Sequence, residues 1–229
     1  MKDRIEKHTH VEKDLQKKLV RIGEIVQSNE RNAVKVSLIN DILGEMTDKF
    51  LDIHYRALTD EMTGFVNRWF LNEFLKKTMK SSQRYGQDLS LAIMDIDHFK
   101  TVNDTFGHTA GDMVIKEIAV IITKNIRSSD VVSRYGGDEF IVIFPSTNLT
   151  DAKIVMNRIK LAVAEYEFRG GIKSGISFGI ANLKKKHRLF EDLVKDADVK
   201  LYKAKKHRVD PNAGAKKSRL KKVVSQAKK

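Results

Sequence analysis

The chain contains no cysteine, which excludes disulfides, thiolate metal sites and cysteine nucleophiles. Proline is almost missing, with two residues in 229, and neither falls before Pro145. Long apolar runs are also missing. The longest are strand-length, such as Phe140 to Phe144, far short of the ~18 apolar residues that span a membrane. The N-terminus is charged from Lys2 onward and has no apolar signal-peptide core, so the chain as given reads as cytoplasmic. Acids are missing after Pro211, where Lys216, Lys217, Arg219, Lys221, Lys222, Lys228 and Lys229 follow one another. Much of the net charge of +13 therefore belongs to one tail, which reads as a solvated, disordered end. Nucleic acid or anionic lipid is only a weak candidate partner for it. What remains, 41% hydrophobic and 32% charged residues, suits one globular domain with a charge-rich appendage.

Three parts are expected: a helix over residues 1–58, a globular domain over 59–209 and the basic tail over 210–229. In the first, Leu15, Ile22, Asn29, Val36, Leu43 and Phe50 alternate with Val11, Lys18, Ile25, Asn32, Ile39, Met46 and Ile53. This three-four spacing holds for about six heptads, which predicts a dimeric coiled coil through residues 11–53. Asn29 and Asn32 form a polar layer that would fix register. A hairpin folding back near Asn29 is the alternative, but the seam keeps its phase across the asparagine pair.

In the second part, three-four apolar spacing predicts helices over 67–85, 110–126, 151–166 and 191–206. Runs of β-branched and aromatic residues predict strands over 89–96, 131–135, 139–144 and 173–180. The order βαββαβ is a ferredoxin-like α+β layout, an antiparallel central sheet with helices on one face.

Certain residues violate this pattern and so point to chemistry. Asp95 and Asp97 stand at alternate positions of an apolar strand and so share a face. Buried charge is costly, and a metal ion is one partner that offsets it. Gly136-Gly137 between two strands suggests a tight hairpin with positive φ available at both positions, and leaves no side chain to block a phosphate. Asp138 and Glu139 follow at once. If the strands pair, three carboxylates meet at adjacent strand ends, a hard-oxygen set suited to Mg²⁺ or Mn²⁺. The loop from His98 to Asp112 leads into a helix, so its backbone N–H groups can meet anions. Lys100 adds charge for phosphate, and Asn103 and Asp112 could read a base edge. Each signal alone has a plainer meaning: an acidic strand end, a solvated hairpin, an N-cap.

Together, in this order and spacing, they resemble the GGDEF family of diguanylate cyclases. The resemblance covers Thr59 to Arg208 and rests on Asp60-Glu61-Met62-Thr63-Gly64-Phe65-Val66-Asn67-Arg68, Asp95-Ile96-Asp97-His98-Phe99-Lys100 with Asn103-Asp104, and Gly136-Gly137-Asp138-Glu139-Phe140. It implies the nucleotidyl-cyclase palm fold, flanked by helices, and condensation of two GTP into cyclic di-GMP by a homodimer. It also implies two Mg²⁺ or Mn²⁺ per site, held by Asp95, the backbone carbonyl of Ile96, Asp138 and Glu139. Asp138 and Glu139 are the implied catalytic acids, and Asp138 is similar to the residue that accepts the 3′-hydroxyl proton. GTP would meet Phe99, Lys100, Asn103, Asp112, Gly136, Gly137, Lys205 and Arg208. Asp112 favours GTP, because relatives that accept ATP differ there.

Arg127-Ser128-Ser129-Asp130 is similar to the family's RxxD inhibitory product site, so Arg127 and Asp130 are expected to bind cyclic di-GMP. Some positions depart from the family pattern. Ala204-Lys205-Lys206-His207-Arg208 is one residue shorter than the usual ending after the last helix. Trp69 stands where a basic residue is usual, and Phe65 replaces a leucine. The alternative function is an inactive GTP or cyclic di-GMP receptor or scaffold.

Overall fold

The computed structural model describes the backbone of residues 2–29 and 31–206 and, within them, the side chains of 13–29, 31–52 and 55–206. Arg208 and the basic tail lie outside the described residues. The chain divides into two compact units, Met1–Ala57 and Leu58–Lys229.

The first unit is helical, as its periodicity predicts, but it is not one uninterrupted helix. Helix α1 spans Lys2–Gln27 and α2 spans Asn32–Leu58. Lys18 Nζ donates to Glu45 at 2.8 Å, and Lys49 pairs with Asp14. Lys35 Nζ also reaches the Val26 carbonyl at 2.9 Å. These contacts are antiparallel, so the two helices fold back on each other. Leu15, Ile22 and Ile25 of α1 and Leu38, Ile39, Ile42 and Met46 of α2 are partly or fully shielded. Asn29 and Asn32 lie exposed at the bend instead of forming an inner layer. Val36, Leu43 and Phe50, three of the thirteen expected seam positions, remain 46–58% exposed. A heptad pattern says which faces are apolar, and a fold-back within one chain satisfies it as well as a coil between two.

The second unit is built on a four-stranded sheet. In chain order it contains α3 (Arg68–Tyr85), β1 (Leu89–Ile96), α4 (Phe99–Phe106), α5 (His108–Asn125), β2 (Val131–Arg134), β3 (Glu139–Pro145), α6 (Leu149–Glu165), β4 (Ile176–Asn182) and α7 (Phe190–Lys205). The strand order is β2-β3-β1-β4 and every pairing is antiparallel. This is the expected ferredoxin-like sheet. The helices, however, cover both faces. Ala92, Met94, Ile96, Phe140, Val142 and Phe144 pack with α5 and α6. Leu89, Leu91, Ile93, Ile141 and Ile143 pack with α3 and α7. Two covered faces explain why β1 is apolar at successive positions instead of alternating. Each large side chain so enclosed contributes roughly 1.5–3 kcal/mol.

Asn67 caps α3 by accepting from the Phe70 N–H at 3.0 Å, and Asn148 caps α6 by accepting from Asp151. The stretch read as a loop after β1 is helix α4. It starts on His98, which has φ of 54° and no side-chain cap. Strand β4 begins later than expected, because Gly170 and Gly171 both adopt positive φ and redirect the chain. No helix among the described residues is long and apolar enough to cross a membrane.

His187, 2% exposed, ties the segment before α7 to that helix. Its Nδ1 accepts from the Lys184 N–H at 3.0 Å, which leaves Nε2 as the donor to Asp196 at 3.3 Å. Burial pushes the Asp196 carboxyl up, but Lys200, Lys186 and His187 outweigh it and hold it below its ordinary value. A depressed carboxyl stabilises the fold above its unfolded pKa and loses that contribution as pH falls through the folded one. Asp196→Asn should therefore cost about 1 kcal/mol at neutral pH. In urea melts that penalty should shrink below about pH 4. A penalty independent of pH would mean that shape, not charge, holds this corner.

Candidate active site

Asp95 sits near the end of β1 and is 5% exposed. The ladder sets it opposite Glu139 on one side and Ser177 on the other. Its Oδ2 accepts from Lys205 Nζ at 2.7 Å, so the last residue of α7 supplies the charge that offsets a buried carboxylate. Asp97 is also buried. It accepts from Ser177 Oγ at 2.6 Å, and its N–H donates to the Gly175 carbonyl at 2.8 Å. Ser177 was not foreseen; its signal was a hydroxyl inside the apolar run Ile176-Ser177-Phe178.

The β2–β3 hairpin brings the second pair of acids to the same strand end. Arg134 and Phe140 are its last paired residues. Tyr135 then donates its N–H to the Glu139 carbonyl at 2.8 Å. Gly136, Gly137 and Asp138 thus form a three-residue tip, longer than the tight turn expected. Neither glycine has positive φ, because the longer loop does not require it. At Gly136 a β-carbon would stand 3.1 Å from Glu139 Oε2, the end of a flexible side chain. Gly137 faces open space. The Ile96 N–H donates to the Asp138 carbonyl at 3.2 Å, fixing the tip to the end of β1.

The Asp60–Arg68 segment braces this hairpin. Asp60 Oδ1 accepts from the Thr63 N–H and hydroxyl at 3.0 and 2.7 Å. Its Oδ2 pairs with Arg134 at 3.5 Å. Arg134 in turn donates to the Gly137 carbonyl at 2.7 and 3.1 Å. Arg68 lies over the Tyr135 ring at 4.3 Å. A motif that had no assigned job in the sequence therefore holds the hairpin tip.

Phe99 and Lys100 open α4, the latter exposed, and Asn103 lies one turn further along. Asn103 packs against the first turn of α5, where Gly111 is buried and Asp112 is exposed. Oxygen donors of the right chemistry for Mg²⁺ or Mn²⁺ meet here: Asp95, the Ile96 main chain, Asp138 and Glu139. The Lys205 ammonium on Asp95 shows that this corner accommodates a cation. Among the described residues, however, no three acidic or histidine side chains are gathered at ligating distance.

A separate pocket is lined by Arg127, Asp130, Asp151 and Arg158, with Phe144, Thr147, Ile154 and Val155. Asp130 Oδ2 accepts from the Arg127 N–H at 2.9 Å. Arg158 of α6 donates to Asn125 Oδ1 at 3.0 Å. Sequence reading missed Arg158, since only the α5–α6 packing brings it near the Arg127–Asp130 turn.

Residues 57–210 match the family model for the diguanylate cyclase GGDEF domain. Over 158 residues, 68% of the chain, the sequence is 40% identical to the diguanylate cyclase DgcP of Pseudomonas aeruginosa. Over 170 residues, 72% of the chain, it is 37% identical to the response regulator PleD of Caulobacter vibrioides. The match spans only 23% and 37% of those relatives' lengths. Among solved structures, the chain is similar to the coiled coil and GGDEF domain of DgcB from Caulobacter crescentus in complex with c-di-GMP. That match has a TM-score of 0.68 and 26% identity, and covers 76% of this chain and 94% of the other. The diguanylate cyclase SiaD of Pseudomonas aeruginosa, solved with its activator SiaC, matches with a TM-score of 0.64 and 32% identity. It covers 89% of this chain and 81% of the other.

Proposed function

The chain belongs to the GGDEF diguanylate cyclase family, and on that basis we propose that it condenses two GTP into cyclic di-GMP and two pyrophosphates. One observation carries the reading. Buried Asp95 opposes Glu139 in register, the Asp138 carbonyl is bonded to Ile96, and Lys205 stands 2.7 Å from Asp95. Two facing acids and a lysine ammonium thus meet where three strands end beside a glycine tip.

Asp95, the Ile96 carbonyl, Asp138 and Glu139 would hold Mg²⁺ or Mn²⁺, two per site, whose charge would offset that developing on the phosphates. Asp138 accepts the proton of the GTP 3′-hydroxyl. That oxygen attacks the α-phosphorus of the GTP held by the facing chain. The bond from the α-phosphorus to the bridging oxygen breaks, and pyrophosphate leaves. The reciprocal attack closes the ring. Lys100, Lys205 and Arg208 bind phosphate, Phe99 lines their loop, and Gly136 and Gly137 let the triphosphate approach. Asn103 and Asp112 hold guanine. GTP is a cytoplasmic nucleotide, so the reaction is read as cytoplasmic.

Each chain supplies half of the reaction centre, so the active species is a homodimer. Residues 11–53 hold it together, raising the effective concentration of the facing domains. The exposed Val36, Leu43 and Phe50 are apolar surface available to a second copy.

A second reading, a receptor that binds nucleotide without turnover, draws on the lack of a gathered ligand cluster among the described residues. Supplying GTP or ATP, with Mg²⁺ or with EDTA, and separating the products distinguishes the two. Cyclic di-GMP is expected only from GTP with metal. Nucleotide binding without product under every condition would favour the receptor.

The Arg127–Asp130 pocket is read as the inhibitory product site. Arg158, which lines the same pocket, would add a second fork for the guanine or phosphate of cyclic di-GMP. Arg158→Ala and Arg127→Ala are each expected to raise the inhibitory constant for cyclic di-GMP about tenfold or more. Initial rates in the absence of product should stay near the parent's. Inhibition curves that superimpose on the parent's would move the inhibitory site elsewhere.

A further inference from the structure

The β4–α7 loop reads Leu183-Lys184-Lys185-Lys186-His187-Arg188-Leu189-Phe190, four cations with no acid among them. It is held from inside. Buried His187 accepts from the Lys184 N–H at 3.0 Å and meets Asp196 at 3.3 Å. The His187 carbonyl accepts from Gln83 Nε2 at 3.0 Å, which ties the loop to the last turn of α3. Asp192 Oδ2 accepts from the Arg188 and Leu189 N–H groups at 2.9 and 3.0 Å. The loop so fixed leaves Lys184, Lys185, Lys186 and Arg188 exposed. Lys186 reaches Asp196 at 3.4 Å and is still 62% exposed. Asp88 and Glu191 are exposed acids close in sequence. Like charges nonetheless crowd this corner. Burial, and then the charges of Lys184, Lys186 and Lys153, hold the Lys200 ammonium below its ordinary value against the pull of Asp196.

Apolar side chains accompany the cations. Leu189 is 63% exposed, and Tyr85 at the end of α3 is 65% exposed. Leu189 takes the N-cap position of α7 without a side-chain hydrogen bond, where serine, threonine, asparagine or aspartate would cap the helix better. A leucine so placed weakens the helix start and leaves apolar surface in water. Arg84 lies over the Tyr85 ring at 5.3 Å. Aromatic and aliphatic side chains set among lysine and arginine suit the boundary between lipid headgroups and acyl chains.

We propose that this end of the sheet docks on an anionic bilayer surface. The cations meet lipid phosphates, and Leu189 and Tyr85 enter the headgroup layer. A nucleic acid would use the same cations but has no use for an exposed leucine. The Leu183 N–H donates to the Leu89 carbonyl at 2.7 Å, so the loop stands at the start of β1. Asp95 lies near the other end of that strand, about 20 Å away at the rise of a β-strand. Docking therefore leaves the candidate active site open to solution. The inference does not depend on the cyclase reading.

The test is co-sedimentation of the full chain with vesicles of phosphatidylcholine, alone or mixed with phosphatidylglycerol. Binding is expected to the mixed vesicles only. A variant carrying Lys184→Gln, Lys185→Gln and Arg188→Gln should bind them about a hundredfold more weakly. Leu189→Ser should bind about five- to tenfold more weakly and melt no lower than the parent, because serine supplies the missing cap. A lesion in the fold would lower binding and melting temperature together. The basic tail is the same in every variant. Binding curves that superimpose on the parent's would therefore assign vesicle binding to the tail and overturn the proposal. Equal binding to both kinds of vesicle would overturn it as well. So would a loss with the charge variant and none with Leu189→Ser, which reduces the loop to an electrostatic patch. Titration with polyuridylate then shows whether nucleic acid is the partner instead. Should the charge variant fail to fold, Leu189→Ser decides alone.

Discussion

Alanine in place of Asp138 is expected to lower cyclic di-GMP formation by roughly a thousandfold with little change in stability. The side chain is half-exposed, and the contact that fixes the hairpin tip to β1 is made by the Asp138 backbone carbonyl. Alanine keeps that carbonyl, so the tip should hold its place while the carboxylate is lost. Chromatography of the reaction products reads the first effect. A thermal melt reads the second, expected within about 2 °C of the parent. Retained turnover would remove Asp138 from the chemistry. Lost turnover with a collapsed melting temperature would assign it to the fold instead.

Gly179→Val should be the most damaging single substitution for stability among those considered. Gly179 pairs with Ile93 in the middle of β4, directly beneath α7. A β-carbon there would lie 2.2 Å from the Ala197 carbonyl oxygen and the Leu201 nitrogen, and 2.8 Å from the Lys200 carbonyl carbon. These are backbone atoms of a helix and cannot rotate aside. Strand and helix must separate, opening the layer that contains Leu193, Ala197 and Leu201. A loss of about 3 kcal/mol or more is expected, read as a lower urea midpoint at an unchanged slope. Helix α7 also ends on Lys205, the partner of Asp95, so activity should fall further than the folded fraction does. A parent-like urea midpoint would show that α7 does not pack on β4 as closely as described.

How far the sequence revealed this molecule depended on where each residue's partner lies. Strand β1 was legible over its observed span, because an apolar run closed by Asp95 and Asp97 has few other meanings. Helix α4 was not legible. Lys100, Thr101, Asn103, Asp104 and Thr105 are polar and mostly weak helix formers, and the helix starts on His98 without a cap. The acids and glycines of the site stood out because strands rarely contain them. Lys205 was found through family resemblance, but its ion pair with Asp95 was not foreseen, since Gly179 must first admit α7 to the sheet. Ser177, Arg134 and Arg158 were missed for a similar reason. Each is an ordinary polar residue until the register or a helix–helix contact gives it a distant partner. The α1–α2 fold-back was hidden differently. Its apolar pattern suits either a turn within one chain or a seam between two, and no proline or glycine marks Ser28 to Arg31.

The central claim is that two copies of this chain share one reaction. It is tested most directly by following pyrophosphate and cyclic di-GMP together across a dilution series of the purified chain with saturating GTP and Mg²⁺. Two pyrophosphates per cyclic di-GMP are expected. The initial rate should rise with the square of chain concentration wherever sedimentation shows monomers, and linearly once dimers dominate. A rate linear in chain concentration throughout the monomeric range, or no cyclic di-GMP from a demonstrated dimer, would contradict the account.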